Sequence, residues 1–294
     1  MKKIRGDVKT LTIISGKGGT GKTSIVGSFA SLAKKAVFAD CDVDAADLSL
    51  IMDARIKTAS EFKASQKARI DVAKCIQCGD CEDKCRFNAI QNCKVDYFLC
   101  EGCRVCSLVC PQGAMSMEDV CSGQLFISDT PYGPLVHARL EPGEENSGKL
   151  VTLVRQTAEQ IARNEGFEYI IVDGPPGIGC PVIASLTGAT ASLIVTEPTI
   201  SAISDLKRVL SVCNHFKVPP FVCVNRCDLY QENVTRITEF CQQEGVEILG
   251  MIPYDPNVVR ALVQGKPVVG YTESAASQQI RKLWDRLAER VTLQ

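Results

Sequence analysis

The sequence predicts an α/β fold in which a mostly parallel β-sheet is flanked by helices and interrupted by a small inserted module. Two observations carry this prediction. Short apolar runs bounded by turn residues recur along the chain, separated by segments with helical spacing. In addition, about 130 residues separate the second run from the third, far more than a usual crossover between parallel strands. The apolar runs are LTIIS, AVFAD, YIIVD, SLIVT, FVCVN and ILGMI.

The inserted module extends over residues 70–118 and contains an internal repeat. Two runs of four cysteines share the spacing C-x2-C-x2-C-x3-C, the first starting at Cys75 and the second at Cys100. The repeat predicts a small α+β unit with pseudo-twofold symmetry. The predicted domains are a first part of the main domain (residues 1–69), the insert (residues 70–118) and a second part of the main domain (residues 119–294).

The composition argues against a nucleic-acid partner and against a membrane-spanning role. The 33 Lys and Arg residues balance 34 Asp and Glu residues, and no local basic run would attract a polyanion. No apolar run approaches the roughly 18 residues of a membrane span, and the N-terminal segment has no cleavage site typical of a signal peptide. We expect a cytoplasmic protein without stable membrane insertion.

The chain has sixteen cysteines, and eight of them lie in the two runs of the insert. Disulfide scaffolds do not require such tight groups, so we interpret the two runs as metal ligands in a reducing compartment. Most of the remaining cysteines are expected to be ordinary buried thiols. The eight cysteines outside the two runs are Cys41, Cys93, Cys121, Cys180, Cys213, Cys223, Cys227 and Cys241.

A phosphate-binding loop follows the first apolar run. The segment GKGGTGKT matches G-x4-G-K-[ST] between a predicted strand and a predicted helix, which is the context that this motif needs. Its backbone N–H groups would surround phosphate oxygens, while Lys22 would neutralise the β- and γ-phosphates and Thr23 would hold Mg²⁺. A chance glycine-rich turn is the weaker alternative. The other predicted nucleotide-binding residues of the loop are Gly16, Gly18, Gly19, Thr20 and Gly21.

A second lysine, Lys17, directly follows the first glycine of this loop. The segment KGGTGKT resembles the deviant Walker A family, which includes the MinD and ParA proteins, the Mrp-type scaffolds and the nitrogenase iron protein. In that family the additional lysine reaches across a dimer to the nucleotide of the partner. The resemblance implies an ATP-dependent dimer, of identical chains or with a paralogous ATPase, that binds ATP or ADP with Mg²⁺.

Two further segments resemble the switches of that family. DCDVDAADL begins at Asp40 and looks like the first switch, in which Asp42 orients the attacking water. VDGPPGIG looks like the end of the Walker B strand and the second switch, in which Asp173 holds a magnesium-bound water and Gly177 follows the γ-phosphate. Asp40 is assigned to the same nucleotide and magnesium site.

Two segments of the C-terminal half resemble the adenine-binding segments of the family. VNRCD contains Asn225, which is expected to face the base, and IPYD contains Pro253 and Asp255. Phosphoryl transfer needs cations on the phosphate oxygens and a positioned water. The predicted catalytic residues are Lys17, Lys22 and Asp42, and we expect slow hydrolysis without a partner.

The two cysteine runs match the bacterial two-cluster ferredoxin pattern, in which the fourth cysteine of each run binds the other 4Fe-4S cluster. Two zinc sites are the alternative, but zinc knuckles rarely have four cysteines at this spacing. Arg86 replaces the proline that commonly follows the fourth cysteine, whereas Pro111 keeps it. The predicted ligands are Cys75, Cys78, Cys81 and Cys110 for the first cluster, and Cys85, Cys100, Cys103 and Cys106 for the second.

Cys180 lies seven residues after Asp173, where the nitrogenase iron protein has a ligand of its subunit-bridging cluster. The second such ligand of that protein has no counterpart, because Asn146 in the segment EPGEENSGKL occupies the matching position. We therefore expect the inserted ferredoxin to have replaced a bridging cluster as electron carrier.

The C-terminal segment QQIRKLWDRLAERV predicts a helix with apolar residues on one side. A MinD-like helix of this kind could bind membranes, but Asp285 and Glu289 dilute the positive charge of its polar face. A helix that covers the core is favoured. Its predicted apolar stripe consists of Ile280, Leu283, Trp284, Leu287 and Val291.

Over nearly its whole length the chain resembles MinD-like ATPases that carry an inserted two-cluster ferredoxin domain, on the segments VDGPPGIGCPVIASLTGAT, VTEPT and GEENSGKLV. The resemblance implies three functions, in this order of preference. The first is an ATP-gated electron donor for an unidentified redox or client protein. The second is a partner-binding or spatial switch with structural or redox-sensing clusters. The third is an iron-sulfur or metallocofactor assembly factor.

Overall fold

The computed structural model describes residues 8–144 and 146–292. The chain divides into two compact units. The first unit, which we call the ATPase unit, comprises residues 1–60, 125–139 and 147–294. The second, which we call the cysteine unit, comprises residues 61–124 and 140–146.

The described residues form a nine-stranded sheet and a separate two-stranded hairpin. The strands of the large sheet are β1 (Lys9–Ser15), β2 (Ala36–Asp40), β3 (Arg55–Ile70), β6 (Met115–Asp129), β7 (Leu135–Leu140), β8 (Tyr169–Pro176), β9 (Ala191–Thr196), β10 (Pro220–Asn225) and β11 (Ile248–Ile252), and the hairpin pairs β4 (Ile90–Gln91) with β5 (Lys94–Val95). Their order in the sheet is β11-β10-β9-β1-β8-β2-β7-β6-β3. From β11 to β7 every neighbouring pair is parallel, as the sequence predicts.

Helices connect these strands. They are α1 (Lys22–Leu32), α2 (Leu48–Ile51), α3 (Asp80–Asp83), α4 (Val105–Val109), α5 (Ser147–Glu165), α6 (Cys180–Leu186), α7 (Ala202–His215), α8 (Gln231–Gln243), α9 (Pro256–Val263), α10 (Val268–Tyr271) and α11 (Ala275–Thr292). No helix among the described residues is both long enough and apolar enough to cross a membrane.

Apolar side chains cover both faces of the sheet in the ATPase unit. Successive side chains of a strand point to opposite faces, and β1 follows this rule. Leu11 and Ile13 belong to a buried cluster with Phe29 of α1 and Leu283 of α11. Ile14 belongs to a second cluster with apolar residues of α7 and α8. Burial on both faces explains why the strands read as continuous apolar runs.

The predicted apolar runs all form strands, and the predicted tail helix forms as α11. The five residues of the tail's apolar stripe are buried in the same cluster as Leu11, so this helix covers the core. Trp284 lies 5.2 Å from the ring of Phe29 and 6.1 Å from that of Tyr169, measured between ring centroids. The interpretation of the tail as a core helix is confirmed.

The cysteine unit has a small apolar core. Its buried cluster consists of Ala68, Ala89, Ile90, Cys100, Cys106 and Met115. The structure differs from the sequence prediction in the long strands β3 and β6, which begin or end in the ATPase unit and flank the cysteines. The cysteine unit therefore extends beyond residues 70–118 on both sides and includes residues 140–146.

Candidate functional site

The glycine-rich loop lies between the end of β1 at Ser15 and the start of α1 at Lys22. Two of its glycines are required by close approaches. A β-carbon at residue 16 would lie 2.5 Å from Cβ of Asp205, and one at residue 21 would lie 2.5 Å from Nδ2 of Asn225. Gly21 also has a φ of 94°, which disfavours other residues. The loop is thus held against α7 and the end of β10, at the N-terminus of α1.

Lys17 is held within its own chain by residues that follow β9. Its Nζ lies 2.9 Å from Oε1 of Glu197 and donates to Oγ1 of Thr199 at 3.1 Å. Arg226 contacts the other carboxylate oxygen of Glu197 at 2.7 Å. The Lys17 side chain is 35 % exposed, so it is only partly withdrawn from solvent. In the isolated chain the signature lysine therefore has an anionic partner that the sequence analysis did not identify.

Two buried carboxylates lie side by side on neighbouring strands, because Asp40 at the end of β2 pairs in register with Asp173 within β8. The carboxylate of Asp40 accepts hydrogen bonds from the backbone N–H groups of Asp42 at 3.2 Å and Leu48 at 3.1 Å. Burial and the neighbouring Asp173 raise the pKa of Asp40 well above its usual value. Asp40 thus fastens the loop after β2.

Among the residues that the structure describes, by contrast, neither carboxylate oxygen of Asp173 has a hydrogen-bond partner. Burial raises its pKa to about 7, against the effect of Lys22 and the nearby Thr23, which favour the ionised form. The Thr20 hydroxyl is also buried, and no described residue hydrogen-bonds to it. Buried polar atoms without partners are rare and costly in folded proteins. A carboxylate beside a lysine and a threonine hydroxyl is a suitable environment for Mg²⁺ with a nucleotide phosphate, so these residues fit the predicted cofactor.

Asp42 lies in the same neighbourhood. It is partly buried, and burial raises the pKa of its carboxyl while the charge of Lys22 lowers it. The charges of Asp42 and Lys22 both act on Asp173. The structure thus brings together the predicted catalytic residues Lys22 and Asp42 with the predicted magnesium residues Thr23 and Asp173.

The predicted adenine and γ-phosphate residues have identified partners in this structure. The Asn225 amide donates to the Thr20 carbonyl at 2.8 Å, which ties the end of β10 to the loop. Asp255 caps α9 by accepting from the Asn257 N–H at 2.8 Å. The Gly177 N–H donates to the Ser15 carbonyl at 2.8 Å and would have to leave it to bind phosphate.

Pro253 is partly buried after β11. Asp228 accepts a hydrogen bond from the Tyr254 N–H at 2.6 Å and so connects the two predicted adenine segments. The roles of Asn225, Pro253 and Asp255 toward a base stay predictions.

Two cavities in the cysteine unit are lined by the two predicted ligand sets. The lining of one includes Cys75, Cys78, Cys81 and Cys110. The lining of the other includes Cys85, Cys100, Cys103 and Cys106. Each cavity therefore receives the fourth cysteine of the other run, as the ferredoxin pattern requires.

The fourth cysteine of each run has the same backbone environment. The Ala89 N–H donates to Sγ of Cys85 at 3.3 Å, and the Ala114 N–H donates to Sγ of Cys110 at 3.2 Å. Burial disfavours the Cys110 thiolate, but the N–H groups of residues 112–115 outweigh this effect and lower its pKa. The repetition indicates that the unit is a duplicated structure. Sulfur atoms that accept N–H bonds suit a negatively charged cluster.

Among the described residues, no group of three or more His, Cys, Asp or Glu side chains has the arrangement that a single metal ion needs. The described geometry therefore shows neither a zinc site nor an iron-sulfur cluster. The two cavities and the N–H···S bonds fit a larger group with four thiolate ligands, and the predicted cysteines would hold it. The inserted ferredoxin and its two clusters stay a proposal.

A buried ion pair adjoins the second ligand set. Nζ of Lys67 lies 3.2 Å from Oε1 of Glu144 and donates to the Cys100 carbonyl at 2.9 Å. The side chains of Lys67 and Glu144 are only 9 % and 12 % exposed. Ser65 donates to the same carboxylate. Burial opposes ionisation of Glu144, but its hydrogen bonds to Ser65, Lys67 and Ser122 prevail and lower its pKa. The segment 140–146 is thereby attached to β3.

Several functional candidates were missed by the sequence analysis because no local motif marks them. Glu197 and Thr199 lie about 180 residues from Lys17. Cys93, one of the eight cysteines outside the two runs, lines the cavity of the first ligand set.

Two residues that the sequence analysis did single out have the following positions. Cys180 is exposed as the first residue of α6, and its Cβ would lie 3.3 Å from a β-carbon at Gly148 of α5. Arg86 lies 5.3 Å from the ring centroid of Phe87.

Comparison with known proteins identifies the main domain. The family model described as the CobQ/CobB/MinD/ParA nucleotide binding domain matches residues 11–268. An uncharacterized protein of Methanocaldococcus jannaschii is 33 % identical over 287 residues, which cover 97 % of this chain and 98 % of that protein. The septum site-determining protein MinD of Bacillus subtilis is 23 % identical over 297 residues, covering 97 % of this chain and 91 % of MinD.

Solved structures show the same fold. MinD of Pyrococcus horikoshii, complexed with Mg-ADP, superimposes with a TM-score of 0.62 and 17 % identity, covering 98 % of each chain. MinD in the MinC:MinD complex of Aquifex aeolicus gives a TM-score of 0.59 and 22 % identity, covering 96 % of each chain. The α/β fold with a mostly parallel sheet is thus confirmed.

Proposed function

The chain belongs to the CobQ/CobB/MinD/ParA nucleotide-binding family, and we propose that it is an ATP-dependent switch whose two copies pair over bound nucleotide to present a partner-binding state. Lys17 carries the proposal. Its Nζ is held by Glu197 within the chain, so nucleotide at the loop would compete with a carboxylate for this cation. Release of Lys17 from Glu197 would make it available to a second copy.

The site supplies the groups that ATP hydrolysis requires. Lys22 at the N-terminus of α1 would bind the phosphates, and Thr23 and Asp173 would hold Mg²⁺. When bound, Mg²⁺ would neutralise charge that develops on the phosphate oxygens. Asp42, close enough to Lys22 for their charges to interact, would orient the water. The MinD structure from Pyrococcus horikoshii is described as a complex with Mg-ADP, which supports these assignments.

Two exposed apolar side chains support a dimer. Ile200 is 94 % exposed and follows Thr199, while Ile178 is 41 % exposed and follows Gly177. Thr199 and Gly177 are both hydrogen-bonded to the start of the nucleotide loop. Large apolar side chains beside a polar site are typical of surfaces that a partner covers. We propose that a second copy covers them in the ATP state.

The test measures molar mass in solution by light scattering with ATP or ADP, in the Asp42→Ala background that would slow hydrolysis. Dimers should form with ATP and not with ADP. Lys17→Ala and Ile200→Asp should each raise the dimer dissociation constant at least about tenfold, equivalent to about 1.4 kcal/mol. Lys34→Ala, on an exposed lysine beyond α1, is the matched control. ATP-independent mass in all variants would refute the switch.

Electron transfer through two 4Fe-4S clusters is the second candidate function, favoured by the two cysteine-lined cavities. The sequence alone places it first. The relatives reported above include nucleotide-binding and septum-site proteins, and none of those named is described as an electron carrier, so the switch is the better supported function. The MinC:MinD complex is an example of a MinD protein bound to a protein partner.

An anaerobic reductive titration followed by EPR tests the second candidate. The holoprotein should contain two clusters, and their potentials should differ between ADP and a non-hydrolysable ATP analogue if nucleotide and clusters are coupled. Equal cluster potentials with ADP and with the ATP analogue would indicate no coupling and would favour a switch whose clusters are structural. Movement of a cluster to an apo-acceptor after ATP addition would instead support the assembly factor, the third function considered above.

A further inference from the structure

The cavity of the first ligand set contains one thiol more than a 4Fe-4S cluster uses. Besides the predicted ligands Cys75, Cys78, Cys81 and Cys110, its lining includes Cys93. The cavity of the second ligand set is lined by its four predicted cysteines and by no fifth cysteine among the described residues. The repeat is therefore asymmetric at one chemically important point.

Cys93 lies next to one ligand in particular. Its Sγ is 3.9 Å from Sγ of Cys75. Metal–thiolate bonds are about 2.3 Å long, so two sulfur atoms closer than about 4.6 Å can both reach one point between them. A single iron atom could therefore lie within bonding distance of the sulfur of Cys75 or of Cys93.

The position of Cys93 is fixed by a tight hairpin. Asn92 and Cys93 form the two-residue connection between β4 and β5, with φ angles of 49° and 58°. Two-residue hairpins of this conformation favour Asn followed by Gly, because positive φ is unfavourable for a residue with a β-carbon. A cysteine replaces the favoured glycine here, and the hairpin holds its thiol beside Cys75.

We propose that Cys93 is an alternative ligand of the first cluster, interchangeable with Cys75 at one iron. The inference rests on the proposed two-cluster function of the cysteine unit. In the exchange, Cys93 loses its thiol proton to solvent and its thiolate forms a bond to iron. The bond between Cys75 and iron breaks, and the Cys75 thiolate takes up one proton. No electron is transferred, and four thiolates bind the cluster before and after.

The first test compares iron and sulfide content in anaerobically reconstituted variants. The wild-type chain should hold about eight iron atoms, and Cys75→Ala should still hold about eight because Cys93 replaces the lost ligand. Cys78→Ala is the matched control from the same cavity, and it should lose the first cluster. The double variant Cys75→Ala/Cys93→Ala should lose it as well. EPR of the reduced proteins should show two clusters or one accordingly.

The outcomes distinguish a failure of the two-cluster function from a failure of the role proposed for Cys93. A wild-type chain without clusters would refute the proposed two-cluster function itself. Two clusters in the wild type, with Cys75→Ala losing one as fully as Cys78→Ala, would refute the role of Cys93 alone. Nucleotide binding by each variant checks that the ATPase unit is folded.

A second measurement uses the unaltered chain and so does not depend on the folding of a variant. The holoprotein is alkylated slowly under anaerobic conditions and the labelled cysteines are identified by mass spectrometry. Exchange predicts about one label per chain in this cavity, distributed between Cys75 and Cys93, with Cys78, Cys81 and Cys110 protected. A label confined to Cys93, with none on Cys75, would refute the exchange.

Discussion

Asp173 is a residue of the nucleotide site whose charge destabilises the folded chain. It is buried among polar groups that do not hydrogen-bond to it, and it adjoins the second buried carboxylate, Asp40. A protein does not keep such a pair for stability alone, because unpaired buried charge is destabilising. Such a loss of stability is expected at a site that binds a cation together with ATP. Asp173 is therefore the residue at which binding and stability are most directly opposed.

Asp173→Asn should stabilise the metal-free chain more at pH 8 than at pH 5. Burial raises the pKa of Asp173 from 3.8 in the unfolded chain to about 7, so between these values the folded chain holds a proton that the unfolded chain has released. Stability therefore falls as pH rises through this range. Asparagine cannot ionise and removes this contribution, leaving a gain of a few kcal/mol at pH 8. Thermal unfolding in EDTA at both pH values measures the difference.

The control for this prediction is Asp44→Asn, because Asp44 is exposed in the loop after β2. It should change stability by less than about 0.5 kcal/mol at either pH. A gain for Asp173→Asn that is the same at pH 5 and pH 8 would contradict a raised pKa at this position. Asp40, whose pKa is also raised, should leave a residual pH dependence in the variant.

At the scale of elements, six strands of the ATPase unit were predicted from apolar runs, whereas its strand β7 and the strands of the cysteine unit were not. The strand LTIIS and its counterparts are buried on both faces, so they appear as apolar runs. Strand β3, RIKTASEFKASQKARI, is largely exposed and alternates charged with small residues. Its order comes from backbone pairing with β6 rather than from apolar burial, and a charged sequence carries no signal for such pairing.

The same physical difference explains which site residues could be predicted. The nucleotide loop and the cysteine runs could be predicted because most groups around one phosphate, and three of the four ligands of each predicted cluster, lie within a few residues of one another. Glu197, Glu144 and Cys93 act through contacts made by folding, with sequence separations of 180, 77 and 18 residues from Lys17, Lys67 and Cys75. No motif records such contacts.

Lys67→Met should loosen the attachment of segment 140–146 to β3. Loss of the cation leaves the Glu144 carboxylate buried without its ion-pair partner, which costs about 3 kcal/mol. Hydrogen exchange of the cysteine unit should accelerate accordingly, and the double variant Lys67→Met/Glu144→Gln should recover part of the loss. The comparison is Arg69→Met, because Arg69 and Glu118 form an ion pair whose side chains are 62 % and 40 % exposed.

The exposed pair sets the scale for this experiment. Arg69→Met should change protection by less than about 1 kcal/mol, since solvent screens an exposed ion pair. Equal effects of the Lys67 and Arg69 substitutions would show that the burial of the Lys67–Glu144 pair has no energetic consequence.

The C-terminal helix gives a prediction about the core. Trp284→Ala should destabilise the ATPase unit by about 3 kcal/mol or more, because it empties the space between Phe29 and Tyr169. Asp285→Ala, on the exposed side of the same helix, should have little effect. Denaturant unfolding measures both stabilities. It is followed by circular dichroism rather than fluorescence, because Trp284 is the single tryptophan of the sequence and the variant lacks its signal. Equal stabilities would contradict a core role for α11.

At the scale of the whole molecule, the two units differ in what holds them together. The ATPase unit has two extensive buried clusters on a parallel sheet. The cysteine unit has six residues in its buried cluster, and two of these are predicted cluster ligands. A core this small rarely stabilises a unit without a metal site or another cross-link. If the unit binds its two clusters, most of its stability must come from them.

If the cysteine unit holds clusters, their removal should therefore unfold that unit and leave the ATPase unit folded. After anaerobic chelation of iron, amide protection should be lost across residues 61–124 and 140–146, while β1, β8 and β9 should remain protected because their apolar cores do not depend on metal. Binding of a fluorescent ATP analogue should persist, as the nucleotide loop lies in the ATPase unit. Hydrogen exchange with mass spectrometry follows both units in one sample. Loss of protection in β1 together with the cysteine unit would show instead that the chain unfolds as one cooperative structure. Persistent protection in both units would show that the apolar core of the cysteine unit is sufficient for its stability without metal.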